Sequence, residues 1–325
     1  MPDLPNRPRY AARLNAFKVG LAGKPTVADM IARAGQVAGL DAADLNFPDH
    51  FDHHSPRQLS DLLAAQGMAL NGLAMRYYTD PGFRLGAFTN PDATVRQAAL
   101  DITRRGLDAL AEMGGKTMTL WLGQDGVDYS FQGNYARMWD DTVAALIEVA
   151  DHNPNLDIAI EYKPNEPRAY ALLPDVGATL LAARDADRPN IGVTLDFAHV
   201  LYADEIPAHA AVMIARHSRL MGVHLNDGYG KRDDGLMVGS VHPVQTVELF
   251  VELARMNYDG VIYFDTFPDH GGLDPCAEAA TNIMMADRLR SVAARLVDHA
   301  GLAEAIARQD ATASMRIVAD ALYVR

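Results

Sequence analysis

The sequence predicts an α/β fold, a single (β/α)8 TIM barrel with a C-terminal helical extension, and three observations carry that expectation. Eight short apolar or β-branched runs each give way to a helical pattern, as βαβ units of a parallel sheet require. The last four runs end in ionisable residues spaced one βα unit apart. The length of 325 residues exceeds the roughly 250 of an average barrel, which leaves room for loop insertions and a tail. Residues 1–300 are expected to form the barrel and 301–325 the helical tail.

In chain order, the strand runs are 16–21, 40–47, 69–75, 117–122, 156–163, 191–197, 220–226 and 261–266. The clearest helical patterns are 92–113, 135–151, 173–186, 244–256 and 277–300, rich in Ala, Leu, Val and charged residues at three-to-four spacing. The alternative is an open doubly wound sheet. Its first βα turn would be Gly20-Leu21-Ala22-Gly23-Lys24-Pro25, which is neither a dinucleotide fingerprint nor a phosphate-binding loop. No shift in composition marks a domain boundary.

Composition narrows the partners. Hydrophobic residues make up 49% of the chain and charged residues 22%, enough apolar material for a core and too little charge bias for disorder. A net charge of −13, without clusters of Lys and Arg, argues against nucleic acid and anionic membranes. The lone Cys276 cannot form an intrachain disulfide, residues 1–10 carry three prolines where a secretory signal needs an apolar core, and no long apolar run occurs. A cytoplasmic protein is expected.

Chemistry in a parallel barrel gathers at the C-terminal strand ends. Strand five ends in Glu161-Tyr162-Lys163, strand six in Asp196 with His199 three residues on, strand seven in His224-Leu225-Asn226-Asp227 and strand eight in Asp265. From Glu161 through Asp196 and His224 to Asp265 the spacings are 35, 28 and 41 residues, so each of four adjacent strands aims one ligand at one spot. Any one such Asp is ordinarily a helix cap, and a lone His is ordinarily a core residue. Three carboxylates converging together repel, and a divalent cation removes the penalty. Oxygen ligands with one imidazole favour Mn²⁺, with Mg²⁺ or Co²⁺ next and Zn²⁺ behind.

His199 with Asp233 and Asp234, in a Gly-rich loop after strand seven, offers a second cation position, although Asp-Asp-Gly is also ordinary turn chemistry. Lys163 falls on the same side of the pleat as Glu161, placed either to polarise a carbonyl or to pair with a carboxylate. Trp121 ends the fourth run as a wall for sugar C–H surfaces or as core packing.

These residues resemble the xylose isomerase-like family of barrels, nearest in motif to its xylose and L-rhamnose isomerases, firmly over residues 115–270. The segment Glu161-Tyr162-Lys163-Pro164-Asn165-Glu166-Pro167-Arg168 is similar to the xylose isomerase motif Glu-Pro-Lys-Pro-Asn-Glu-Pro-Arg, in which the Glu binds metal and the Lys contacts substrate. Trp121-Leu122-Gly123-Gln124-Asp125-Gly126 resembles the Trp-Gly-Gly-Arg-Glu-Gly wall of the same pocket, Asp196-Phe197-Ala198-His199 the pair serving both metals, and His224 with Asp233-Asp234 the L-rhamnose isomerase segment. The resemblance implies one metal at Glu161, Asp196, His224 and Asp265, a catalytic metal at His199 and Asp233, with Asp234 as a further candidate, and substrate contacts at Trp121, Lys163 and Asn226. Glu161, Lys163 and Asp265 are the implied catalytic residues.

The sequence departs from that pattern at two points. Pro48 stands where xylose isomerase has a ring-opening His, and Gly235 where it has its last metal-binding Asp. The resemblance implies a metal-dependent aldose–ketose isomerase of a small unphosphorylated sugar, working by hydride shift in a homotetramer or homodimer. A ketose 3-epimerase is the alternative on the same site. An apurinic endonuclease of the same barrel class is disfavoured by charge, and a non-catalytic sugar or metal binder is the reading from outside enzymology.

Overall fold

The computed structural model describes residues 7–323. The first six residues, part of the segment expected to lack a secretory core, and the last two of the expected tail lie outside the described residues. Eight parallel strands close into a barrel in sequence order: β1 (Tyr10–Arg13), β2 (Ala42–Phe47), β3 (Ala69–Met75), β4 (Thr117–Trp121), β5 (Asp157–Glu161), β6 (Ile191–Asp196), β7 (Leu220–Leu225) and β8 (Ile262–Phe264). β8 pairs with β1 to close the ring.

The first strand corrects the sequence reading. Residues 16–21 were expected there, but Leu14–Lys18 form a 3₁₀ helix and Gly20 turns the chain at φ +77°. The true strand, Tyr-Ala-Ala-Arg, is only four residues long and its first three are buried, so it shows neither length nor alternation. Strands β2 to β8 fall within the expected runs. A two-residue antiparallel pair, Gly126–Val127 with Tyr170–Ala171, ties the loops after β4 and β5 together outside the barrel; its brevity left no signal in the sequence.

Helices α1 (Val27–Ala34), α2 (Pro56–Ala65), α3 (Ala93–Glu112), α4 (Tyr135–His152) and α5 (Val176–Ala186) follow the first five strands. A short helix, Phe197–Tyr202, precedes α6 (Pro207–His217) after β6, and α7 (Pro243–Arg255) and α8 (Pro275–Leu296) follow β7 and β8. The helix expected at 173–186 starts at Val176 because the Asp175 side chain caps it, accepting the Ala178 N–H at 2.7 Å. The pattern 277–300 breaks after Leu296, where His299 caps α9 (Ala300–Ala307); α10 (Ala311–Tyr323) then packs Ile317 and Leu322 against the core.

Between strands and helices the core is apolar, whereas the barrel axis is not. Beneath the C-terminal ends a cavity of about 30 Å³ is lined by Asp44, Asn71, Thr117, Thr119 and Thr194 among others. That is room for about one water, held by polar groups.

Candidate metal centre and active site

Register brings the polar strand ends to one level. Trp121 sits opposite Glu161, Asp196 opposite His224, and His224 opposite Tyr263. At that level Glu161, Asp196, His224 and Asp265 each offer a ligand atom within 4.8 Å of all the others. His224 Nδ1 lies 3.2 Å from Glu161 Oε1 and 4.0 Å from Asp196 Oδ2. Three carboxylates and one imidazole converging on a single point form a donor set that suits a divalent cation.

Asp196 serves two roles. Its Oδ1 accepts the His199 backbone N–H at 2.9 Å, capping the short helix, while its carboxylate remains in the cluster. Asn226 lies behind it. Fully buried, Asn226 donates Nδ2–H to both Asp196 oxygens at 3.2 and 3.1 Å and to the Asp265 carbonyl at 3.0 Å, and its Oδ1 accepts the Ala198 N–H at 2.8 Å. Expected at the substrate, it is placed instead as a brace across β6, β7 and β8.

His199 leads to the second group. Its Nδ1–H donates to the Tyr162 carbonyl at 3.0 Å, and Nε2 meets Asp233 Oδ2 at 3.1 Å. The same Asp233 oxygen accepts Lys163 Nζ at 3.1 Å, and Lys163 also pairs with Glu166 at 2.9 Å. Asp233 Oδ1 is buried without a hydrogen-bond partner among the described residues, an acceptor left free for a cation. Asp234 turns away, accepting from Tyr229 N–H and Arg232 in its own loop. At Gly235, with φ +55°, an added Cβ would sit 2.3 Å from the Phe267 ring, so an aspartate there collides with that ring. The second group therefore has fewer ligands than the first.

The cluster polarises its own members. Burial opposes the charged imidazoles, yet the surrounding carboxylates outweigh it, holding His199 up at about 10 through Asp196 and Asp233, and His224 at about 9 through Glu161 and Asp265. Burial pushes Asp196 up to about 7 and raises Asp265 with help from Glu161. Burial alone would raise Glu161 and Asp233 too, but His224 and His199 draw Glu161 down, and His199 and Lys163 hold Asp233 well below the usual carboxylate range.

Above this floor lies a cavity of about 300 Å³. Lys163, 7% exposed, lies 5.2 Å from the Trp121 ring centre, and Tyr78 meets Trp121 edge-on at 4.9 Å. Lys163 thus faces the same space as Glu161, although it lies two residues beyond the end of β5. His50 does not reach the cavity. It accepts the Asn46 N–H at Nδ1 and contacts Asn15 Oδ1 at 2.9 Å through Nε2, and burial holds its pKa down to about 3.

Several cavity residues were missed from the sequence, Asp44, Arg13, Arg76 and Tyr78 among them. Asp44 is buried on β2, accepts from Asn71 at 2.6 Å and is pushed up to about 6 by burial. An acid inside the apolar run Ala42-Ala43-Asp44-Leu45 was its signal. Arg13, Arg76 and Tyr78 come from the ends of β1 and β3; Arg13 lay outside the expected first strand.

Comparison with known proteins places this geometry among relatives. The model of a family described as xylose isomerase-like TIM barrel matches residues 32–292. The xylose isomerase of Thermus thermophilus is 31% identical over 215 residues, covering 64% of this chain and 56% of that protein. That of Thermus caldophilus is 29% identical over 218 residues, with the same coverage of 64% and 56%. The chain thus spans just over half the length of these curated relatives. Among solved structures, a D-tagatose 3-epimerase-like protein superposes with a TM-score of 0.73 at 16% identity, covering 89% of this chain and 99% of that one. An L-ribulose 3-epimerase gives 0.71 at 17% identity, over 90% and 99%. At such identities the likeness to the two solved structures concerns the fold.

Proposed function

The chain belongs to the xylose isomerase-like TIM barrel family, and on that premise we propose that it is a divalent-cation-dependent isomerase that interconverts the aldose and ketose forms of a small unphosphorylated sugar. The convergence of Glu161, Asp196, His224 and Asp265 beneath a cavity that also holds Lys163 carries this reading. These four residues would hold the principal cation, Mn²⁺ by the hardness of its donors, with Mg²⁺ or Co²⁺ next. His199 and Asp233 would hold a second. A bound divalent cation supplies Lewis-acid polarisation of neighbouring sugar oxygens.

The chain's own residues do the rest. Lys163, fixed between Asp233 and Glu166, presents its ammonium to a sugar oxygen and stabilises negative charge developing there. Trp121, Tyr78 and Phe267 wall the cavity with apolar faces that exclude water from sugar C–H bonds. Lys163 pairs with one oxygen each of Asp233 and Glu166, which holds both carboxylates at its ammonium.

A ketose 3-epimerase is the alternative on the same cluster, with Glu161 and Asp265 as the carboxylates within reach of one another for acid–base transfer. We further read the protein as cytoplasmic and as a homodimer or homotetramer, given its single cysteine and its family; no helix among the described residues is long and apolar enough to cross a membrane.

The test is a panel of free tetroses, pentoses and hexoses offered to Mn²⁺-loaded and to chelated protein. Aldose–ketose conversion by the loaded form alone is the expected result. Full activity after exhaustive chelation would refute the cation requirement, and tight cation retention without any turnover would make the protein a binder.

A further inference from the structure

Three permanently cationic or lysine side chains line the cavity, and two of them are already matched. Arg13 grips both oxygens of Asp269 at 3.0 and 3.1 Å, and Lys163 is shared between Asp233 and Glu166. Arg76, one residue past β3, is different. Its guanidinium stacks 4.3 Å from the Tyr78 ring centre, and its nearest carboxylate, Asp49, stays 4.0 Å from Nε while accepting a hydrogen bond from Thr79. Nε is buried with no hydrogen-bond partner, and no side-chain nitrogen of Arg76 hydrogen-bonds to any described residue.

A guanidinium has five N–H donors and keeps its charge at every accessible pH. Stacked on Tyr78, its plane is fixed before any ligand arrives, so little ordering entropy is lost on binding. A planar fork of parallel donors matches a carboxylate in two-point contact. Position also matters. The clustered carboxylates and imidazole come from β5 to β8, whereas Arg76 follows β3 on another side of the ring and lines the same cavity.

We propose that Arg76 is a carboxylate subsite and that the substrate is a sugar acid of the uronate type, with a free carbonyl end over the cation site and a carboxylate at the other end. The orientation rests on the isomerase reading above; the anion subsite does not. One guanidinium with no hydrogen-bonded carboxylate, only Asp49 at 4.0 Å, has donors for one further carboxylate, while a phosphate dianion would call on further free cations, and Arg13 and Lys163 are occupied.

The test compares binding of neutral hexoses, their uronates and their 6-phosphates (glucose, glucuronate and glucose 6-phosphate, with the galactose and mannose counterparts) to Mn²⁺-loaded protein by calorimetry, with turnover recorded in parallel. At least one uronate is expected to bind about tenfold or more tighter than its hexose. In Arg76→Met that preference disappears while hexose binding stays within about threefold, and in Arg76→Lys part of it returns; each variant is first shown to melt like the parent. No uronate preference in the parent, or its survival in Arg76→Met, would overturn the subsite, and a preference for the 6-phosphate would overturn the carboxylate assignment. Uronate-selective binding without any isomerisation would keep the subsite and remove the isomerase reading. Turnover of neutral sugars without uronate preference would do the reverse.

Discussion

His199 poses a charge problem that only a proton or a cation solves. With Nδ1–H given to the Tyr162 carbonyl, a neutral ring points its Nε2 lone pair at the Asp233 carboxylate 3.1 Å away, and two acceptors repel. In metal-free protein the proton supplies the positive charge, which is why His199 stands at about 10 and His224 at about 9, above the ordinary value near 6.5. The sign of the pH effect follows. Between about pH 6.5 and pH 9–10 the folded state holds protons that the unfolded chain has released, so chelated protein loses stability as pH rises through that window. Calorimetric melting should show a falling Tm there, while Mn²⁺ affinity rises as the competing protons leave. A melting temperature indifferent to pH over the same window would contradict the protonated cluster. At Lys163 the prediction concerns turnover. Lys163→Met should keep its bound metal, counted by atomic absorption, and lose about 10²-fold or more in kcat; unchanged kcat would leave Lys163 a structural ion pair with Asp233 and Glu166.

The strand ends are held in register by polar bridges between elements. Asn226 on the β7 end ties the start of the helix after β6, the Asp196 carboxylate and the Asp265 carbonyl through both its amide oxygen and its amide nitrogen. Asn226→Ala should therefore cost about 1–3 kcal/mol of stability by stranding buried partners. It should also weaken metal affinity about 10- to 100-fold with the four ligands intact. Denaturant melts and metal titration read the two effects separately, and unaltered metal affinity would remove the bracing role. These bridges explain which parts were legible. Strands β5 to β8 announced themselves because an ionisable residue closes each apolar run. β1 did not, since Tyr10–Arg13 is too short for a pattern and the stronger alternation of residues 16–21 belongs to a 3₁₀ helix and a turn. Asn226, two residues past His224, reads as a site residue from spacing, and only the packing behind Asp196 shows that it faces inward.

For the whole molecule, ring closure is what makes the site. Because β8 pairs with β1, the carboxylate and imidazole cluster formed by β5 to β8 faces Arg13, Asp44 and Arg76 from β1 to β3 across one cavity of about 300 Å³. The sequence carried the first half and missed the second. Metal ligands are constrained in type and spacing, whereas cavity residues after β1 and β3 are ordinary side chains whose importance depends on what they face. Gly235 makes the same point, since its small size is dictated by the Phe267 ring from the loop after β8. The closed barrel also fixes what faces the cavity, with Asp233 and Glu166 both paired to Lys163.

Hydrogen transfer inside that enclosure is the central claim, and heavy water tests it directly. The substrate found by the sugar panel is converted in D₂O and the product is analysed by NMR after a few turnovers. A ketose formed from an aldose is expected, with little deuterium at the carbon that received the hydrogen. A product epimeric at the third carbon would contradict it and make Glu161 and Asp265 the candidate base and acid of an epimerase, whereas near-complete deuterium at the migrating position would replace the hydride shift by proton transfer through an enediol.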